Sequence, residues 1–126
     1  MATKLLRAIP LGPMAPREAR RVLDPLVSDV PAPVLDDLRL VVSELVTNSV
    51  RHSGMNEGKP IVVKVEAGEG RVRLEVADRE HGFVPAARHP DAEVGSGWGL
   101  YLVDRVAGRW GKVPGDGVWA EIDIPA

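Results

Sequence analysis

The chain contains no cysteine, which excludes a disulfide framework and any cysteine-ligated metal centre. No long apolar run occurs, so neither a signal peptide nor a membrane-spanning helix is expected, and a reducing cytoplasm is the expected location. Net charge is also lacking: 16 Lys and Arg against 18 Asp and Glu leave a formal −2, which gives no global cationic field for direct binding of nucleic acid. Arg17, Arg20 and Arg21 form a small basic group that reads as a solvated helix face. His81 and His89 have no partners at metal-ligand spacing, so no histidine-held metal is expected. There is no internal repeat and no low-complexity tract. A length of 126 residues fits one domain, 1–126, with a modest core and no room for a separate sensor or phosphotransfer module.

What is present is most informative in Ser43-Glu44-Leu45-Val46-Thr47-Asn48-Ser49-Val50-Arg51-His52-Ser53. At about 100° per residue, Val34, Leu35, Leu38, Val41, Val42, Leu45 and Ser49 form one buried helix face. Glu44, Asn48 and Arg51 cluster in a narrow arc at its edge, with Glu44 and Asn48 about 6 Å apart along the axis. Such an arc is either the solvated rim of an amphipathic helix or one wall of a cleft. His52 falls near the buried side and reads as a satisfied core histidine.

The second feature is Gly95-Ser96-Gly97-Trp98-Gly99-Leu100, running into a helix-like Leu100 to Val106. Alternate glycines let the backbone approach a ligand closely, and the helix start offers free N–H groups and a positive dipole end, which together can hold phosphate. Glycine-rich turns before helices also occur without ligands. The spacing is that of neither a P-loop nor a Gly-x-Gly-x-x-Gly fingerprint. Trp98, set between two glycines, has an unusual place for a core residue; Trp110 and Trp119 read as core or rim residues near the end of a sheet.

Between and around these stretches the pattern predicts a strand over 3–9, closed by Pro10, and a helix from Arg17 to about Leu26, ended or kinked by Pro25. The motif helix follows 29–33, with Pro33 in its first turn, and a polar loop over 54–60 stops it. Alternating strands are predicted at 61–66 and 71–76 about a Gly68-Glu69-Gly70 turn, then at 109–113 and 118–124 after a 114–117 turn. The turn-rich stretch 78–97 reads equally as a lid over a ligand or as a surface loop. The sum is an α+β chain, a two-layer α/β sandwich with helices on one face of a mostly antiparallel sheet.

Taken in order, Glu44-x-x-x-Asn48, Asp78 with Gly82, and Gly95-x-Gly97-x-Gly99-Leu100 resemble the GHKL ATPase superfamily of gyrase and the histidine kinases. Within it the wording of 42–52, 97–105 and 118–122 is most similar to the short anti-sigma-factor serine kinases of bacteria, and the resemblance spans residues 3–124. It implies the Bergerat ATP-binding fold, with ATP and Mg2+ as cofactors. By resemblance Glu44 is the general base and Asn48 the residue that holds Mg2+ against the phosphates. Arg51 stands where histidine kinases often carry a phosphate-directed lysine, although an arginine late in a helix also complements the dipole. Asp78 would accept the adenine amine, with Gly82 beside it, and Gly95, Gly97, Gly99 and Leu100 would line the phosphates; the plainer role of Asp78 is to form a turn at a strand end. The implied partners are a sigma factor, which the protein sequesters, an anti-anti-sigma protein of STAS type, which it phosphorylates on serine, and a second copy, docked through the first strand and helix.

Two positions depart from the family pattern. The usual Asp-x-Gly-x-Gly becomes Asp78-Arg79-Glu80-His81-Gly82, and a threonine common before Val-Trp is replaced by Gly117. Both bear on the adenine end, and they keep open the alternative of a non-catalytic protein-binding module with weakened or lost ATP binding.

Overall fold

The computed structural model describes residues 3–53, 60–78, 98–113 and 117–125. Alternating side chains produce five strands: β1 (Thr3–Pro10), β2 (Pro60–Gly68), β3 (Arg71–Asp78), β4 (Arg109–Val113) and β5 (Gly117–Asp123). They form one sheet in the order β1-β2-β3-β5-β4, and every neighbouring pair is antiparallel. Glu69 and Gly70 join β2 to β3 with φ of 54° and 77°. A two-residue turn with both φ positive matches the twist of the strands, and glycine takes the second position without a steric penalty.

The helices α1 (Ala15–Val22), α2 (Ala32–Ser53) and α3 (Trp98–Val106) form the second layer. α2 lies in the middle, packed against α1 and α3 at its sides and over β3 and β5. Val63 and Val65 of β2, Val72, Leu74 and Val76 of β3, and Val118, Ala120 and Ile122 of β5 are the sheet's share of the same buried cluster. The period-2 burial of these strands and the single apolar stripe of α2 therefore share one core. Val46, not assigned to the buried stripe from the sequence, is fully buried with it.

Several boundaries differ from the sequence expectation by a few residues, two of them at prolines. The first helix stops at Val22 rather than near Leu26, and a single 3-10 turn, Asp24–Leu26, follows it. Pro25 has no N–H to donate and its ring crowds the preceding turn, yet the 3-10 turn still carries Leu23 and Leu26 into full burial. Pro60, expected in the loop, opens β2 opposite Pro10, a strand-end position where a missing donor is tolerated. The rest of that loop, residues 54–59, lies outside the described residues.

The face of the sheet away from the helices is organised by charge. Register places Lys4, Glu66, Arg73, Glu121 and Arg109 side by side across all five strands, alternating in sign. Lys4 pairs with Glu66 at 3.7 Å, and Glu121 takes Arg109 at 2.8 Å and Arg73 at 3.2 Å. In the next row the Arg73 guanidinium lies 4.5 Å from the centroid of the Trp119 ring, within reach of a cation–π contact. Trp119 in turn covers Gly111, its partner on β4.

The Glu121 carboxyl is held below the ordinary carboxylate range, first by the hydrogen bond from Arg109 and then by that from Arg73, with burial opposing them. A carboxylate whose pKa is lower in the folded than in the unfolded chain adds stability above its unfolded value, and that stability disappears as the pH falls through the folded one. The unfolding free energy of the protein is accordingly expected to fall on acidification below about pH 4.3. In Glu121→Gln that acid-side slope is expected to flatten, with a loss of about 0.5–1 kcal/mol at neutral pH; urea unfolding across a pH series measures both.

A methyl group at Gly111 would meet Trp119 Nε1 at 2.8 Å, Cε2 at 3.1 Å and Cζ2 at 3.2 Å. The rigid indole must tilt away and give up its place under Arg73. Gly111→Ala is expected to cost about 1–3 kcal/mol in chemical denaturation, and most of that cost is expected to vanish in a Trp119→Leu background, where the ring is gone.

Candidate functional site

Topology decides which of the sequence-selected residues can meet. Asp29 and Val30, just before α2, line one cavity together with Gly68, Glu69, Gly70 and Ile124. α2 therefore starts at the end of the sheet marked by the β2–β3 turn. Its 22 residues make a rod about 33 Å long, which crosses the sheet toward the end where β2 begins and β3 stops. Asp78 is the last residue of β3 and pairs with Ile61. Gly117, buried, opens β5 at that same end, one residue before Val118 pairs with Val76.

α3 reaches this end from the other direction. β3 and β4 run parallel with β5 between them, since each is antiparallel to β5. The chain leaves β3 at Asp78 and must re-enter at Arg109, whose row contains Glu121 and Arg73 near the start of β3. α3 makes that return, so its first turn, with Trp98, Gly99 and Leu100, faces the Asp78 end and its last turn meets β4.

The phase of α2 sets its side chains around the axis. Arg20 Nη1 of α1 donates to Ser43 Oγ at 2.8 Å, and Arg39 Nη2 reaches Asp24 Oδ1 at 3.3 Å. Ser43 and Arg39 thus mark the flank turned to α1. Counting about 100° per residue, Glu44 and Asn48 occupy the opposite flank, and α3 is the element that packs on that side of α2. Both are half-buried. Glu44 and Asn48 thus lie on the flank of α2 that turns to α3.

The fold brings Glu44, Asn48, the backbone of Asp78 and the first turn of α3 to one end of the two layers. Arg51 belongs to the last turn of α2, at the same end; its side chain, and those of His52, Asp78, Gly99 and Leu100, lie outside the described residues. So do Gly82, Gly95 and Gly97, together with Glu80, His81, His89 and the whole stretch 79–97 read as a lid or loop. Among the described residues no group of three His, Cys, Asp or Glu side chains converges as a metal cage, and no helix is long and apolar enough to cross a membrane.

One contact at the far end of α3 from this site was not foreseen from the sequence. The indole N–H of Trp110 donates to Asp104 Oδ1 at 2.7 Å, tying α3 to β4. A six-residue separation across a strand start has no periodic signature; only the carboxylate in the last turn of α3, unfavourable beside the negative end of the helix dipole, hints that it has a partner.

The family model for the histidine kinase-like ATPase domain matches residues 9–111, a span that runs from the end of β1 into β4. A comparison with curated proteins finds no match.

Proposed function

Since the chain belongs to the histidine kinase-like ATPase domain family and is in that respect an ATP-binding domain, we propose that it is an anti-sigma-factor protein kinase of the cytoplasm. In this reading it sequesters a sigma factor and transfers the γ-phosphoryl group of ATP to a serine of a STAS-type anti-anti-sigma protein. The observation that carries it is the placement of Glu44 and Asn48 on the α3-facing flank of α2, at the sheet end where Asp78 and the first turn of α3 also lie.

The chemistry follows from the groups. As the serine oxygen bonds to the γ-phosphorus and the bond from that phosphorus to the β–γ bridging oxygen breaks, the serine proton goes to the Glu44 carboxylate and ADP leaves. Asn48 offers one amide oxygen. Mg2+ commonly keeps several waters and takes substrate phosphates with few protein ligands, so a lone oxygen without a carboxylate cage suits it. When bound, Mg2+ would neutralise phosphate charge; Asn48 would hold it, with Arg51 and the backbone of Gly95, Gly97, Gly99 and Leu100 drawing on the phosphates. Asp78, with Gly82, would take the adenine amine.

A homodimer is part of the proposal. β1 is an edge strand of the sheet, paired only with β2 among the described residues, and its Leu6 is 65% exposed. An open edge of this kind is a template for a second strand.

A second reading, a partner-binding module with weakened ATP binding, is favoured by Gly117. It lies buried next to the end of β3, where the resemblance places a hydroxyl serving the adenine site, and it has none to offer. Glu80 bears the same way from outside the described residues. Titration with a fluorescent ATP analogue, with and without Mg2+, separates the readings: micromolar binding supports the kinase, and no binding supports the module.

Asn48→Ala is expected to weaken Mg-ATP binding by about tenfold or more while the melting temperature stays within a few degrees; calorimetry that finds equal affinities removes Asn48 from the site. Glu44→Gln keeps the shape and loses the proton acceptor, so phosphoryl transfer to the partner serine is expected to fall by about 10²-fold or more with ATP binding retained. A radiolabelled-phosphate transfer assay reads it.

A further inference from the structure

α3 is nine residues long, too short to be stable as an isolated helix. Its position is set by what it rests on. Val103 is fully buried and Val106 packs against the core, contacts that are apolar and set depth more than rotation or sliding along the axis. A directional contact is the 2.7 Å hydrogen bond from the Trp110 indole to Asp104 Oδ1. Both ends of that bond are fixed. Trp110 is 4% exposed and held in the sheet opposite Ala120, and Asp104 is half-buried in the last turn of the helix.

The energetic argument points the same way. A carboxylate in the last turn of a helix works against the dipole, while a carboxylate accepting from a largely buried donor makes a short, charge-assisted bond. The Trp110 hydrogen bond offsets part of the cost of placing Asp104 there, so the pair favours one seating of α3 on β4. The opposite end of the same rigid helix is the turn that carries Gly99 and Leu100 toward the sheet end of Asp78. A displacement at one end is passed along the rod to the other.

From this we infer that Asp104 is a positioning residue for nucleotide phosphate: through Trp110 it fixes the axial seating of α3, and with it the backbone N–H groups of the first turn. The inference rests on the ATP-binding reading above. In that reading adenine is met at the ends of β3 and β5 rather than by α3, so the effect of losing Asp104 is expected to fall on the phosphates and not on the nucleoside.

The test compares a fluorescent ATP analogue with adenosine, measured by direct titration and competition on the full chain. Asp104→Ala is expected to lower affinity for the ATP analogue by about fivefold or more and to leave adenosine within about twofold. Asp104→Asn keeps an acceptor oxygen for the indole N–H and is expected to restore ATP affinity to near the wild-type value, whereas Trp110→Phe, which removes the donor, is expected to reproduce Asp104→Ala. A readout in the unmodified protein guards against loss of folding in the variants. Reciprocity of coupling requires ATP to slow hydrogen exchange of the Trp110 indole N–H, resolved by nuclear magnetic resonance, and adenosine to leave it unchanged. Equal ATP affinity in wild type and Asp104→Ala, equal losses for ATP and adenosine, or indole exchange indifferent to ATP would each overturn the inference while the ATP reading stands. If the wild-type protein bound no ATP analogue, both would fall together.

Discussion

Burial of one stripe of α2 is the constraint from which the rest of the arrangement follows. Leu38, Val42, Leu45 and Val46 are sealed completely between the sheet and the neighbouring helices, and each such side chain contributes about 1.5–3 kcal/mol of transfer free energy. That sum fixes the rotation of the helix about its own axis. Once the rotation is fixed, the flanks have no freedom: Ser43 and Arg39 turn to α1 and the 3-10 turn, and Glu44 and Asn48 turn to α3. The polar residues are therefore placed by the apolar ones.

The same logic separates what could be read in the chain from what could not. The period of 3.6 along α2 and the period of 2 along β2, β3 and β5 are local properties, and each appears in the fold with boundaries shifted by a few residues. Proline chemistry accounts for the clearest shift, the early end of α1 before Pro25. The charge row from Lys4 to Arg109 is of another kind. Its members come from five strands scattered between positions 4 and 121, and they are neighbours only because every register is set as it is. Asp104 with Trp110, and Trp119 over Gly111, are likewise products of how strands and helices turn back on each other. For the site, Glu44 and Asn48 stood out because polar residues interrupt an apolar helix. The meeting of their flank with the end of β3 and the start of α3 needed the direction of three separate elements, which no local pattern carries.

In the nucleotide site proposed above, the two halves would differ in how they are built. The phosphate half depends on helices, α2 by its flank and α3 by its first turn, and helices can slide or rotate by small amounts on a sheet. The adenine half depends on the ends of β3 and β5, which are locked to their neighbours by backbone hydrogen bonds. A hydroxyl missing from the rigid half, as the resemblance reads Gly117, is one that the backbone has little means to make up for. Loss of a restraint in the helical half changes an alignment instead. The departures of this chain from its family and the Asp104 contact thus concern different kinds of failure.

The connectivity of β1 sets a schedule as well as a shape. Pro10 pairs with Pro60 and Thr3 with Ala67, so the edge strand closes across 50 to 64 residues, whereas β2 and β3 are joined by a turn of two residues. Chain-closure entropy favours the hairpin first and leaves β1 among the last elements to dock as the protein folds. On the ribosome this order is inverted, since β1 emerges before β2, the strand it pairs with among the described residues. The segment that opens the sequence must wait unpaired until β2 is made, and its lysine and arginine, Lys4 and Arg7, keep it soluble in the interval.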